Sequence, residues 1–410
     1  MNIFNIKKRI FLLLFLVNNN LFAHIFQFPT TKTETIVKVL LEKKNSHAKS
    51  KYTLESSNIL LVSTTDTTKT ALFKDTKLDL IIQNDKIFTL IKDTKAQKDI
   101  TKSFKYNEIE ITSSSRSVKI NGKKYTGSII FKIDPKSHEL YIISKLNLDE
   151  YLYSVLASEI YPTWPHEMQK IQAVISRTYA VYHMNQNMNK KLPYDILNNN
   201  FHQKYDGDHY NKHLKKAIDE TCNVIITYNN KPILAMFDCC CGGITTANIS
   251  SYDFKTNPYL SRKSVCNFCS KCPQYKWEKR FNIDDLLKKL KEDVSLVKKF
   301  VGAKKLLDIK IIKKDKAGIV KKIKFIFSNK NVIITGNQLW NNFKNIIYSL
   351  NFNIKKNNNK IIFMGNGYGH QMGLCQYGAK DLVDRGWDYK KIISFYYPGT
   401  NLGKLQYAAI

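Results

Sequence analysis

The chain has 410 residues, yet no apolar run in it is long enough to cross a bilayer. The run near the N-terminus, Ile10 to Val17, has eight residues, whereas a helix needs about 20 to span about 30 Å of hydrocarbon. No cysteine follows that run closely, which argues against a lipoprotein anchor. Acidic residues are scarce: 34 Asp and Glu stand against 65 Lys and Arg, for a formal charge of +31. Basic residues interleaved with aromatics, the pattern that grips single-stranded nucleic acid, are also missing. No internal repeat is evident. The glycine-rich stretch near the C-terminus is not followed by Gly-Lys-Ser/Thr and lacks dinucleotide-binding spacing, so it is neither a phosphate loop nor a Rossmann turn.

The N-terminus has the order of a secretory signal. Lys7, Lys8 and Arg9 precede the apolar run, and Ala23 sits where cleavage is expected, although Leu21 is larger than usual for its position. The chain is therefore expected to be exported to the periplasm or cell envelope of a bacterium. The leader 1–23 carries three basic and no acidic residues, so the remainder keeps +31 less three, or +28. Such a surface attracts polyanions. The lysines are spread among Asn and Ile, as in 355–360, which is the composition of a solvated surface. Nucleic acid is accordingly not expected as a partner, and a secreted polyanion or nucleic-acid binder is kept only as a second alternative.

Patterning indicates an α+β protein: a β-rich region over 24–145, then a mixed helix/strand region over 146–410. Short alternating runs at 59–62, 78–82, 109–111 and 128–133 read as strands, and Asn121-Gly122 signals a tight hairpin. Asn147 or Asp149 caps a helix that stops before Pro162. Thr163 and Pro165 open a second helix, with Met168, Ile171, Ile175, Thr178 and Tyr182 on one face. The stretch 185–200 reads as loop, 210–221 as helix, and 224–237 as a hairpin around Asn229-Asn230. A helix–strands–helix insertion is expected at about 281–358, with helices over 284–300 and 338–347. Strand 361–364, loop 365–373 and a helix over about 374–385 follow.

The chemistry concentrates between Leu148 and Val181. Glu159 stands at the join of the two helices beside Tyr161 and Trp164, and Arg177 lies eighteen residues further, about five turns on. A carboxyl group in an aromatic-walled turn is a candidate general acid. Five blocks carry a resemblance: ASEIYPTWPHEMQKIQAVISRTYA (157–180), HQKYDG (202–207), CCGG (240–243), GNGYGHQMGLCQYGAKDL (365–382) and YYPGT (396–400). In this order they resemble the SpoIID/LytB family, whose members act on bacterial peptidoglycan. The resemblance covers about Leu146 to Leu402.

It implies an exported lytic transglycosylase cutting glycan strands between MurNAc and GlcNAc, with Glu159 as acid/base and Arg177 as its support. A single carboxylate suffices when the sugar's own 6-hydroxyl is the nucleophile, whereas ordinary glycosidases need two. No second catalytic carboxylate is evident in the blocks; Asp195 and Asp208 read as a turn residue and a helix cap. Trp164, Tyr205, Gly367, Gly369, His370 and Gln376 are the candidate substrate-binding residues, the glycines for close approach and His370 and Gln376 for hydrogen bonds to sugar hydroxyls. Some family members are amidase enhancers, so the first alternative is a non-catalytic wall-binding protein with a cell-wall amidase as partner. Peptidoglycan glycan strands are the expected partner on either reading.

Six of the eight cysteines fall in two clusters, 239–241 and 266/269/272. An oxidising compartment favours disulfides, while CxxCxxC spacing favours a metal. Relatives that hold zinc with His and Cys just before the HQKYDG-like segment are not matched, since only His202 stands there. Relatives with a CCGG block followed by CxxC are matched, and that likeness implies Cys240, Cys241, Cys266 and Cys269 as ligands of one structural zinc. Disulfides or buried free thiols remain the alternatives. Cys375, where relatives commonly have serine, reads as a small packed residue.

Overall fold

The structure is a computed structural model. It describes residues 35–405 apart from 65–68, 73–75, 94–97, 199–202, 245–253, 262–264 and 344–345. The expected leader, residues 1–23, lies outside the described residues.

Two antiparallel sheets occupy the N-terminal third. One runs in the order Ile196–Leu197, Ile36–Asn45, Glu139–Asn147, Ser128–Asp134, Glu108–Ser113, Leu60–Thr64, Lys69–Leu72, with only the first pairing parallel. The other runs Lys123–Thr126, Ser117–Ile120, Ser50–Glu55, Thr76–Gln83, Lys86–Asp93, Lys98–Tyr106. Inward-facing Val37, Val39, Leu54, Leu80, Ile109, Ile111 and Phe131 form one core between them, each contributing about 1.5–3 kcal/mol. Asn121 and Gly122 both have positive φ, as their two-residue hairpin demands.

Helix α1 (Leu148–Glu159) follows directly from the Glu139–Asn147 strand. Asn147 accepts from the Asp149 N–H, and Glu150 accepts from the Asn147 N–H, a reciprocal cap. The helix stops at Glu159: Ile160 is extended, and Pro162 follows two residues later. Helix α2 (His166–Asn189) opens after Pro165 and runs 24 residues, so it takes up five positions, 185–189, of the expected 185–200 loop. Met168, Ile171, Val174 and Ile175 pack into the C-terminal core, while Ala173, Ala180 and Val181 pack into the sandwich core. A helix buried on both flanks needs no single apolar stripe.

Helix α3 (Lys212–Glu220), capped by Asn211, lies against α2. The expected 284–300 helix is broken by Asp293, which ends α4 (Ile283–Glu292) and caps α5 (Val294–Phe300). Three strands, Leu306–Lys314, Val320–Phe327 and Asn331–Thr335, form a sheet, and α6 (Gly336–Phe343) follows. Strands Lys276–Asn282 and Phe352–Asn357, which patterning did not single out, flank Lys360–Asn366. Helices α7 (Gln376–Asp384) and α8 (Tyr389–Tyr396) follow, and strand Asn401–Lys404 pairs antiparallel with Val224–Tyr228. Among the described residues, no helix is long and apolar enough to cross a membrane.

Candidate active site

Two short pairings converge beside the α1–α2 join. Phe237–Asp238 lies parallel to Leu374–Cys375, and Cys240 pairs with Tyr368 through hydrogen bonds of 3.0 and 2.7 Å. They bring the loops 238–242 and 366–373 to the end of α1. A cleft of about 690 Å³ opens there, lined by Glu159, Tyr161, Trp164, Asp238, His370, Gln376 and Tyr377 among others.

Glu159 is half-buried on the cleft wall. Its Oε1 accepts the backbone N–H of Lys204 at 3.0 Å. Burial pushes its carboxyl above the usual range, and the Lys204 N–H pulls only partly the other way. Its own carbonyl accepts from Gln376 Nε2 at 3.1 Å, and the same amide reaches Gln172 Oε1 at 3.2 Å. The HQKYDG block therefore serves Glu159 through backbone. It is docked along α1 by Tyr151 donating to Gln203 Oε1 and by the Asp206 N–H donating to Ser154 Oγ, both at 3.0 Å. His202 lies outside the described residues.

Trp164 packs against Tyr161 at 5.7 Å and edge-on to Tyr377 at 5.3 Å between ring centroids. These rings form an apolar, π-rich wall of the kind that stacks on sugar faces. His370 lines the cleft, but its Nδ1 accepts the Met372 N–H at 3.1 Å and the ring also bonds the Phe237 backbone. Burial pushes its imidazole down to about 4, so it is neutral at pH 7.

Arg177 is not beside Glu159. Its guanidinium is buried and donates to Asp149 Oδ1 at 3.1 Å and to the carbonyls of Thr221, Val224 and Ile218. It joins the first turn of α1 to the end of α3, and no hydrogen bond reaches Glu159. Tyr205 is also away from the cleft lining. It is buried against Tyr151 and Tyr125, with its hydroxyl 3.2 Å from Ser144 Oγ. Gly369 is on the lining, but Gly367 is behind it, accepting from the Trp277 indole at 2.9 Å. A Cβ at Gly369 would come within 2.5 Å of Asp238 Cβ, and one at Gly367 within 2.7 Å of the Cys240 carbonyl. Both glycines are required by loop-on-loop packing, not by ligand approach alone.

Sequence reasoning passed over Tyr368 and Tyr377, although both stand inside the fourth block. It gave no signal for Gln274 or for Trp340, which comes from the 281–358 stretch. Asp238 was also missed: this second carboxylate lines the cleft, and its Oδ2 accepts the Gln371 N–H at 2.5 Å. Asp195 and Asp208 lie elsewhere, on the Lys38 N–H and on Lys124.

The thiols form one buried group, but its membership differs from the expectation. Cys241, Cys266, Cys269 and Cys375 have their sulfurs within 4.8 Å of one another, an arrangement able to hold a metal ion. Cys240 is not in this set; its Sγ contacts the Cys269 carbonyl at 3.8 Å. The Cys240 thiol lies beside those of Cys269, Cys272 and Cys375 but does not share the close mutual spacing of the other four. Cys375 completes the four from a distant part of the chain.

A family model described as Stage II sporulation protein matches residues 136–228, and one described as a domain of unknown function matches 200–373. An uncharacterised protein of Brachyspira hyodysenteriae is 33% identical over 300 residues, 72% of this chain and 77% of that one. Stage II sporulation protein D of Bacillus subtilis is 29% identical over 304 residues, 68% of this chain and 82% of its own length. The amidase enhancer of Bacillus subtilis is 25% identical over 333 residues, 71% of this chain but 45% of that protein.

Proposed function

The chain belongs to the SpoIID/LytB family, and from that premise we propose that it is exported to the cell envelope and cleaves peptidoglycan glycan strands as a lytic transglycosylase. The observation that carries this reading is Glu159: one half-buried carboxyl, with its affinity for a proton raised, opening on an aromatic-walled cleft.

In this mechanism the protonated Glu159 donates to the glycosidic oxygen as the bond from MurNAc to GlcNAc breaks. The departing sugar takes that proton, and positive charge develops on the MurNAc ring. The Lys204 N–H steadies the carboxylate so formed. The MurNAc 6-hydroxyl then attacks the anomeric carbon and gives its proton to Glu159, which closes a 1,6-anhydro ring and restores the acid. No water is consumed. Gln376 keeps the Glu159 backbone in place. Arg177 serves as a positioning residue, holding α1 from its other end. The thiol cluster takes no part in the bond cleavage and is read as a structural zinc centre.

Replacing Glu159 by Gln keeps the shape and removes the proton. Mass spectrometry of products from intact and peptide-stripped glycan should show anhydro ends with the wild type and a loss of about 10²–10⁴-fold with Glu159→Gln. Undiminished release would remove Glu159 from the role. Ordinary reducing ends would instead make Asp238 the second carboxylate of a hydrolase.

A second reading is favoured by the relative named amidase enhancer and by the position of Arg177, which leaves Glu159 without the expected charged support. On that reading the cleft binds glycan and the chain stimulates a cell-wall amidase. Stimulation that survives Glu159→Gln, with no product from the wild type alone, would favour it.

A further inference from the structure

The four sulfurs of the thiol cluster come from three separate segments. Cys241 follows the Phe237–Asp238 strand, Cys266 and Cys269 belong to one CxxC turn, and Cys375 ends the Leu374–Cys375 strand. All four are buried. Cys241 Sγ and Cys269 Sγ are 3.8 Å apart. A tetrahedral ion with bonds of about 2.3 Å to sulfur has an edge of about 3.8 Å, whereas a disulfide needs about 2.05 Å.

The surroundings supply donors to sulfur. The Cys241 N–H donates to Cys375 Sγ at 3.3 Å, and the buried Tyr396 hydroxyl lies 3.3 Å from Cys266 Sγ. Such contacts orient ligands and offset the charge of a thiolate site. Gly378 leaves room for them: a Cβ there would meet Tyr396 Oη at 2.3 Å and Cys266 Sγ at 2.6 Å. With four sulfurs the coordination shell is closed, so the ion is structural.

The centre is also tied to the cleft. Cys375 immediately precedes Gln376, the first residue of α7, and Gln376 holds both Glu159 and Gln172. We propose that Cys241, Cys266, Cys269 and Cys375, rather than Cys240, bind one tetrahedral divalent ion of the zinc type, and that this ion holds Gln376 against Glu159. The proposal rests on the zinc-centre reading only for the kind of ion. Which sulfurs hold it and what it does to the cleft are tested separately, and neither depends on glycan cleavage.

The mature chain, produced with zinc under thiol-reducing conditions, should carry one zinc by native mass spectrometry and elemental analysis. Cys375→Ser should lose most of that zinc, and Cys240→Ser should keep it; the reverse would overturn the ligand set. If Cys375→Ser fails to fold, cobalt(II) substituted into the intact chain decides. A four-sulfur charge-transfer spectrum supports the set, and a three-sulfur one overturns it. Hydrogen exchange then tests the link. Removing zinc should speed exchange at 159–165 and 374–380 by about tenfold, an ordinary coupling between sites, and leave 128–147 unchanged. Unchanged exchange at 159–165, or faster exchange everywhere, would overturn the link while leaving the ion in place. Two disulfides and no zinc in protein from the native envelope would end the metal reading itself.

Discussion

Helix α1 has an ionisable group at each end, and the two are enclosed differently. At its first turn, Asp149 meets Arg177, whose side chain is 1% exposed and has four acceptors, three of them backbone carbonyls. At its last residue, Glu159 has one backbone donor and faces a cleft. Arg177 spends its hydrogen bonds inside the protein and has little left for a ligand. Glu159 is desolvated, and the nearby Lys204 offsets this only in part, so its proton is retained to higher pH and remains available for transfer. Burial of charge therefore marks a strut in one place and a reactive group in the other. What separates them is how many partners each one has.

The largest effect should come from the strut. Arg177→Met removes a buried donor to Asp149 and three carbonyls. Because Asp149 is partly exposed and the Thr221 carbonyl keeps the Val224 N–H, the loss should sit at the low end for a broken buried pair, about 3 kcal/mol, visible as a lower melting temperature. Arg177→Lys should rescue little, because one ammonium cannot span the same acceptors. A variant that melts like the wild type but has lost activity would move Arg177 into the chemistry and erase the contrast.

A smaller effect concerns pH. The folded-state pKa of Glu159 is raised, so the native chain keeps this proton after the unfolded chain has lost it. Stability then falls as pH rises from the unfolded value through the folded one, and stays lower above it. Glu159→Gln should remove that fall and melt higher at neutral pH, the gap closing in acid. Activity that needs the protonated form should decline over the same window. A variant less stable than the wild type at neutral pH would mean that Glu159 is a structural partner like Arg177.

The smallest effect is expected at Tyr205. Tyr205→Phe removes one hydroxyl contact with Ser144, about 1 kcal/mol, and should leave glycan binding unchanged. Weakened binding with normal stability would place Tyr205 back in the cleft.

Much of this arrangement is legible in local patterns. Asn147 with Glu150 starts α1 and Pro162 follows its end; Asn121-Gly122 and Asn229-Asn230 make the expected turns, with positive φ at all four residues. Each of these depends on interactions within a few residues. The strands Lys276–Asn282 and Phe352–Asn357 are harder to see, because alternate positions carry Lys, Arg, Asn and Glu and only one face is buried.

Local chemistry also placed Glu159 at a helix end beside Tyr161 and Trp164, and grouped cysteines by their short spacing. Partners that come from afar were beyond its reach. Whether Arg177 turns toward Glu159 or Asp149 depends on how α2 rolls between two cores and on where α3 ends. Cys375 joins Cys241 across 134 positions because the Leu374–Cys375 strand pairs in parallel with Phe237–Asp238. Neighbours along the chain settle turns, caps and periodic faces, since those energies are short-range. Which charge meets which, and which sulfur completes the four, follows from packing over the whole fold, where a shift of one residue exchanges the inward side chain for the outward one.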